Sequence, residues 1–256
     1  PRETGTIESE IEGNIVLKNV SLTYEDKPIL KDVSFSVKAG SKTAIIGPTA
    51  SGKSQLLYLL TNLIEADAGT VEVDGVPINK YTSETLYKDV ALVFQDSVIF
   101  NLSLRENIGF SETVTDESLQ KAIETAELSN YIDALPDKLE TMVSERGSSL
   151  SGGQKQRIML ARALTLNPRI LLLDDFTARV DQKTEDKILS NIQKNYPDLT
   201  LISITQKIEP VKDFDQILLL MSGEILASGQ HKELMKTSPE YIQIYKSQQS
   251  TEQYEL

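Results

Sequence analysis

An apolar stretch at Lys42–Ile46 runs without a break into Gly47-Pro48-Thr49-Ala50-Ser51-Gly52-Lys53-Ser54. After Lys53, the spacing of Leu56, Leu57, Leu60 and Leu63 predicts a helix over 53–63 with one apolar face. A strand, a glycine-bounded loop, Lys-Ser and a helix in direct succession leave few folds open. The glycines let the backbone N–H groups curl around an anion at the positive end of the helix. In such a loop the Lys53 ammonium reaches the terminal phosphates of a nucleotide, and the Ser54 hydroxyl ligates Mg²⁺.

A second Gly-rich segment, Leu150-Ser151-Gly152-Gly153-Gln154, lies far downstream, followed by the helical stripe Ile158, Leu160, Ala161 and Leu164. A serine-capped helix start is itself common. Two loops suited to phosphate on one chain pose a question: one chain binds two nucleotides, or two chains share them. With 26 Lys+Arg against 38 Asp+Glu, the net charge of -12 argues against a nucleic-acid partner, whose binders carry a basic stripe. It does not argue against a triphosphate neutralised locally by one loop and Mg²⁺. The absence of cysteine excludes disulfides and thiolate metal sites. The longest apolar runs, Ile170–Leu173 and Ile217–Met221, fall far short of the roughly 18 residues a membrane span needs. A start at Pro1 rather than methionine points to a piece of a longer protein.

Along the chain, residues 1–12 read as a polar linker and 13–248 as the folded unit, with 249–256 as a tail. Strands are expected at 15–24 and 29–37, joined by a turn at Asp26-Lys27-Pro28, then at 42–46, 69–73 and 90–94. From about residue 99 to 158 the pattern turns helical, as in 116–128, and reads as an insertion between core segments 13–98 and 159–248. Strands return at 170–174, 199–204 and 216–221 with helices between them, so the sheet is expected to be largely parallel.

The order of phosphate loop, LSGGQ and Arg169-Ile170-Leu171-Leu172-Leu173-Asp174-Asp175 resembles the ATP-binding-cassette (ABC) ATPases, over roughly residues 13–247. The resemblance implies an α/β P-loop NTPase: a RecA-like core with a mainly parallel sheet, an N-terminal antiparallel β subdomain and an inserted helical subdomain. It further implies that Tyr24 stacks on adenine and that Gln95 meets Mg²⁺ and water and faces the transporter body. LSGGQ would be the signature. Such loops act in trans, so each ATP lies between one cassette's phosphate loop and the signature of a second. Leu104-Arg105-Glu106-Asn107-Ile108, Glu145-Arg146-Gly147 and Gly229-Gln230-His231-Lys232-Glu233-Leu234 resemble exporter segments in particular. The cassette then follows a membrane domain of the same parent chain, on the cytoplasmic face of the membrane.

Against that family pattern the catalytic positions depart. Asp174 is the acid expected to hold Mg²⁺, but the next residue, glutamate in hydrolytic members, is Asp175. One methylene fewer retracts the carboxylate by more than about 1 Å, a misplacement that costs on the order of a hundredfold in rate. Where the family places a histidine against the γ-phosphate, this chain reads Ile204-Thr205-Gln206-Lys207; Gln206 donates a hydrogen bond but carries no charge. The single histidine, His231, reads as a surface or helix-start residue. In the loop after Asp175, Ala178-Arg179-Val180-Asp181 replaces a Ser-Ala-Leu-Asp pattern, retaining Asp181.

Asp175 and Gln206 together, beside intact binding loops, resemble the degenerate-site half of a heterodimeric bacterial exporter. A slow homodimer using aspartate as base remains open, as does a dimerisation switch without meaningful turnover. A soluble ABC ATPase of DNA repair or translation fits the acidic charge and the exporter-like segments poorly. The transported substrate is not legible in this chain.

Overall fold

The computed structural model describes residues 5–254 except Ser97, Glu112, 144–146 and Ser148, with the backbone alone at Thr177, Ala178 and 251–254. An antiparallel hairpin opens it: β1 (Ile15–Tyr24) and β2 (Lys27–Val37), joined through Glu25 and Asp26 at φ 48° and 60°. Two consecutive positive φ angles give the primed turn that matches strand twist, so the turn falls one residue earlier than expected. Pro28 therefore lies in β2, an edge strand of the sheet ordered β2, β1, then β4 (Ala68–Val73) and β5 (Val76–Pro77). An edge is where a proline's missing N–H is tolerated.

β3 (Lys42–Ile46) leads into the phosphate loop and α1 (Lys53–Leu60). That helix stops short of the expected 53–63: Asn62 takes φ 56°, and Leu63 is 43% exposed. After α2 (Ser83–Asp89) and β6 (Val90–Val93) come α3 (Leu104–Ile108), α4 (Asp116–Thr125), α5 (Ser129–Asp133) and α6 (Gly152–Leu164). The expected helix 116–128 ends early because Glu127 turns to φ 57°, yet Ala126 and Leu128 stay buried. α6 runs through the expected subdomain boundary at 158/159 unbroken.

β7 (Ile170–Asp174), α7 (Gln182–Asn195), β8 (Thr200–Thr205), β9 (Gln216–Met221) and β10 (Glu224–Gly229) complete the larger sheet. Its order is β10-β9-β3-β8-β7-β6, parallel throughout except β10. Every residue of β7 and β8 is buried, as in a sheet covered on both faces. The pleat divides the core in two. Ile45, Leu172 and Ile202 face α1 and the antiparallel sheet, while Ala44, Ile46, Leu171 and Leu173 face the helices after β6.

The chain closes with α8 (His231–Thr237) and α9 (Pro239–Tyr254), so 249–254 continue a helix rather than form a separate tail. At the other end, part of the expected linker is docked. The Ile7 N–H donates to the Lys80 carbonyl at 2.9 Å, and Ile11 is buried. Among the described residues, no helix is long and apolar enough to cross a membrane.

Candidate functional site

β3, β8 and β7 are adjacent and parallel, with Ile46 level with Thr205 and Asp174 level with Ile204. Their carboxyl ends therefore deliver the phosphate loop, Gln206 and the Asp174-Asp175 pair to one rim, where open α/β sheets bind ligands. Strand order and register together make this convergence.

At the loop, Gly47 is crowded: a Cβ there would stand 2.0 Å from the Leu220 carbonyl oxygen and 2.9 Å from Ser51 Oγ. Gly52 takes φ 99° and caps α1 with no side chain bonded to the helix's first amides. Those amides, unpaired within any helix, are left to a ligand. Pro48, Thr49 and Ala50, the last at φ 61°, carry the backbone across the bend. Ser51 is buried, as is Lys53, whose ammonium donates to the carbonyls of Gly47 (2.9 Å) and Pro48 (2.6 Å). Burial lowers the Lys53 pKa, opposed by the charges of Asp175 and Asp174.

Ser54 Oγ donates to Asp174 Oδ1 at 3.3 Å. Burial raises the Asp174 pKa first, the Ser54 bond lowers it, and Asp175 pushes it up again. A hydroxyl and a carboxylate converging beside a helix N-terminus fit a Mg²⁺-nucleotide, as does a glycine cradle with no room for a side chain. Asp175 has φ 46°, and its N–H donates to the Ile204 carbonyl at 3.0 Å. Burial raises its pKa too, against the pull of Lys53 and Lys207. Gln206 Nε2 lies 3.4 Å from Thr49 Oγ1 as donor, so Gln206 touches the phosphate loop.

The other singled-out residues lie on separate elements. Ser151 caps α6 in a reciprocal box: Oγ accepts from the Gln154 N–H (3.1 Å) and Gln154 Oε1 from the Ser151 N–H (2.8 Å). Leu150 anchors that turn in the core. Positions where Gly152 and Gly153 would carry Cβ atoms meet Arg179, whose guanidinium pairs with Asp96 at 3.3 Å. Gln95 is exposed, and its carbonyl accepts from Gln156 Nε2 at 3.0 Å, tying the segment after β6 to the helix that the Gly-rich turn opens. Asp181 caps α7 through the Thr184 N–H at 3.0 Å. Tyr24 ends β1 with 67% of its surface exposed. His231 packs against Tyr241 and Tyr245 at the start of α8, away from β8. Glu145 and Arg146, of the exporter-like segment 145–147, lie outside the described residues, as does the Ala178 side chain.

The family model for ABC transporters matches residues 30–178. The chain belongs to the ABC transporter family. An uncharacterized ABC transporter ATP-binding protein of Bacillus subtilis (strain 168) is 41% identical over 250 residues, covering 96% of this chain and 43% of that protein. The ATP-dependent lipid A-core flippase of Aliivibrio fischeri is 37% identical over 252 residues, covering 96% of this chain and 43% of the flippase. The solved structure of a bacterial Atm1-family ABC exporter with ATP bound matches with a TM-score of 0.89 at 34% identity, across 97% of this chain and 43% of that one. This chain thus spans less than half the length of these relatives. It is an ABC ATP-binding domain of the exporter kind, with the α/β P-loop fold.

Lys207, Gln156, Glu185 and Gln248 escaped the sequence reading. Lys207 sat beside a noted position; Gln156 and Gln248 act through contacts distant in sequence, and the burial of Glu185 is set by tertiary packing, none of which a local pattern signals. As a measure of the phosphate loop, Lys53→Ala is expected to weaken Mg·ATP binding about ten- to hundredfold, the worth of charge-assisted bonds. Calorimetric titration of the chain with ATP checks this; unchanged affinity would place the nucleotide elsewhere.

Proposed function

We propose that this chain is the ATP-driven cassette of an exporter whose membrane domain belongs to the same parent protein, working at the cytoplasmic face of a membrane. Its own site is a degenerate one. The observation that carries this is Asp175: a short carboxylate beside Lys53, in a site otherwise complete, with an uncharged Gln206 touching the phosphate loop.

In this reading Tyr24 offers its exposed ring to the adenine. The amides after Gly52 and the Lys53 ammonium hold the phosphates. Ser54, Asp174 and Gln95 hold Mg²⁺, which neutralises phosphate charge when bound. Asp175 orients the attacking water from too far back, and Gln206 donates one hydrogen bond to the γ-phosphate without a charge to stabilise what develops there. Leu150 seats the signature turn, while Ser151, Gly152, Gly153 and Gln154 face the ATP of a second cassette, with Asp181 on the crossing loop. The second cassette is a different chain with its own catalytic glutamate and histidine.

The trans arrangement has a direct test in the Asp175→Glu, Gln206→His background. Adding Lys53→Ala disables a chain's own site; adding Gly152→Asp disables its signature. Each chain alone is expected to be inactive. Mixed, they regain turnover, because a dimer of one of each carries one complete site. No recovery from mixed chains that are shown by cross-linking to pair in Mg·ATP would mean that the signature serves its own chain's nucleotide.

A further inference from the structure

The C-terminal helix α9 reaches back to the loop that follows β8. Gln248 grips that loop at two backbone points: its Oε1 accepts from the Ile208 N–H at 3.0 Å, and its Nε2 donates to the Gln206 carbonyl at 2.6 Å. One turn earlier, the Tyr245 hydroxyl donates to Glu209 Oε2 at 3.4 Å, and Lys212 pairs with the other oxygen of Glu209. On its far side the loop presents the Gln206 side chain to Thr49 Oγ1 at 3.4 Å. A single residue therefore stands between α9 and the phosphate loop.

Beside Gln206 and Lys207 the loop borders open space. A cavity of about 370 Å³ opens between it and α7, lined among others by Gln182, Glu185, Lys207 and Gln248. Glu185, on the α7 side, is buried, and among the described residues neither of its carboxyl oxygens has a hydrogen-bond partner. Ile208 itself is buried in the core; the bonds from α9 add a hold on the backbone of the exposed Gln206 beside it.

We propose that Gln248 is a positioning residue: by fixing the backbone at 206 and 208 it sets where the Gln206 amide stands, so that docking of α9 governs how strongly this chain prefers ATP to ADP. The ATP preference rests on the reading of Gln206 as a γ-phosphate contact; the grip itself does not. Loss of one neutral hydrogen bond is the scale of the effect, about three- to tenfold.

The test measures ATP and ADP affinities of the full chain and its Q248A, Q206A and Q206A/Q248A variants by titration with Mg²⁺ present. Amide hydrogen exchange at Ile208 is followed in parallel. Q248A is expected to lower the ATP-to-ADP preference about three- to tenfold, to the value of Q206A, with no further loss in the double variant. Ile208 exchanges faster in Q248A. Q248E keeps the acceptor for Ile208 but sets a carboxylate against the Gln206 carbonyl; it is expected to lose the ATP preference while Ile208 stays protected. Unchanged exchange at Ile208 in Q248A would overturn the grip. Losses that add in the double variant would also overturn the proposal, since Gln248 would then act on the fold at large. Faster exchange in Q248A with no effect of Q206A on the ATP preference would uphold the grip and refute the reading of Gln206.

Discussion

Asp175→Glu combined with Gln206→His is expected to raise the ATP turnover of the purified chain about a hundredfold or more. The added methylene carries the carboxylate about 1 Å further from the backbone, toward the space in front of Lys53. One opposing effect is visible in the structure. Residue 175 sits at φ 46°, a left-handed conformation that aspartate adopts more readily than glutamate. That preference costs glutamate about 1–2 kcal/mol, against nearly 3 kcal/mol for a hundredfold in rate. Reach wins. The histidine adds a side chain able to carry positive charge at the place where Gln206 now donates to Thr49. Steady-state phosphate release under saturating Mg·ATP measures the gain. A wild-type rate already equal to that of the double variant, and abolished by Asp175→Asn, would show that aspartate suffices and that the site is not degenerate.

What the sequence made legible was local. The phosphate loop, its strand and its helix follow from glycine placement and apolar spacing within a dozen or so residues. The Ser151 capping box follows from a serine three residues before a glutamine. The sheet order was another matter. β3 lies between β8 and β9, strands formed from residues more than 150 positions later, and only that order brings Gln206 to Thr49. Helix ends were misjudged for a related reason. Asn62 and Glu127 turn to positive φ, which apolar periodicity cannot foresee because the leucines beyond them still look periodic. Residues 5–12 looked polar enough for a linker, but buried Ile11 and the backbone bonds of Ile7 to Lys80 and Thr82 dock them.

Glu185 is the residue whose cost sequence reading could least foresee, because on α7 it looks like any exposed helical glutamate. It is 1% exposed, and among the described residues neither carboxyl oxygen has a hydrogen-bond partner. Burial pushes its pKa up to about 8, with Lys207 pulling it down and the charges of Asp186 and Asp175 pushing it further up. The unfolded chain releases this proton near the ordinary glutamate value of about 4.3, while the folded chain keeps it to near pH 8. Between those values the folded state holds more protons than the unfolded one, so stability falls as pH rises. The full stability is present below about pH 4 and is lost progressively by about pH 8, at about 1.4 kcal/mol per unit. Glu185→Gln, nearly the same shape and always neutral, escapes that loss. Its thermal midpoint is expected to match wild type near pH 4 and to exceed it by about 10 °C near pH 8.5. Asp89, Asp174 and Asp175 also have pKa values raised by burial and slope the same way. They remain in both proteins, so the difference between the two melting curves isolates Glu185. A difference that does not change with pH would mean that Glu185 stays ionised in the folded chain, with Lys207 as its counter-ion.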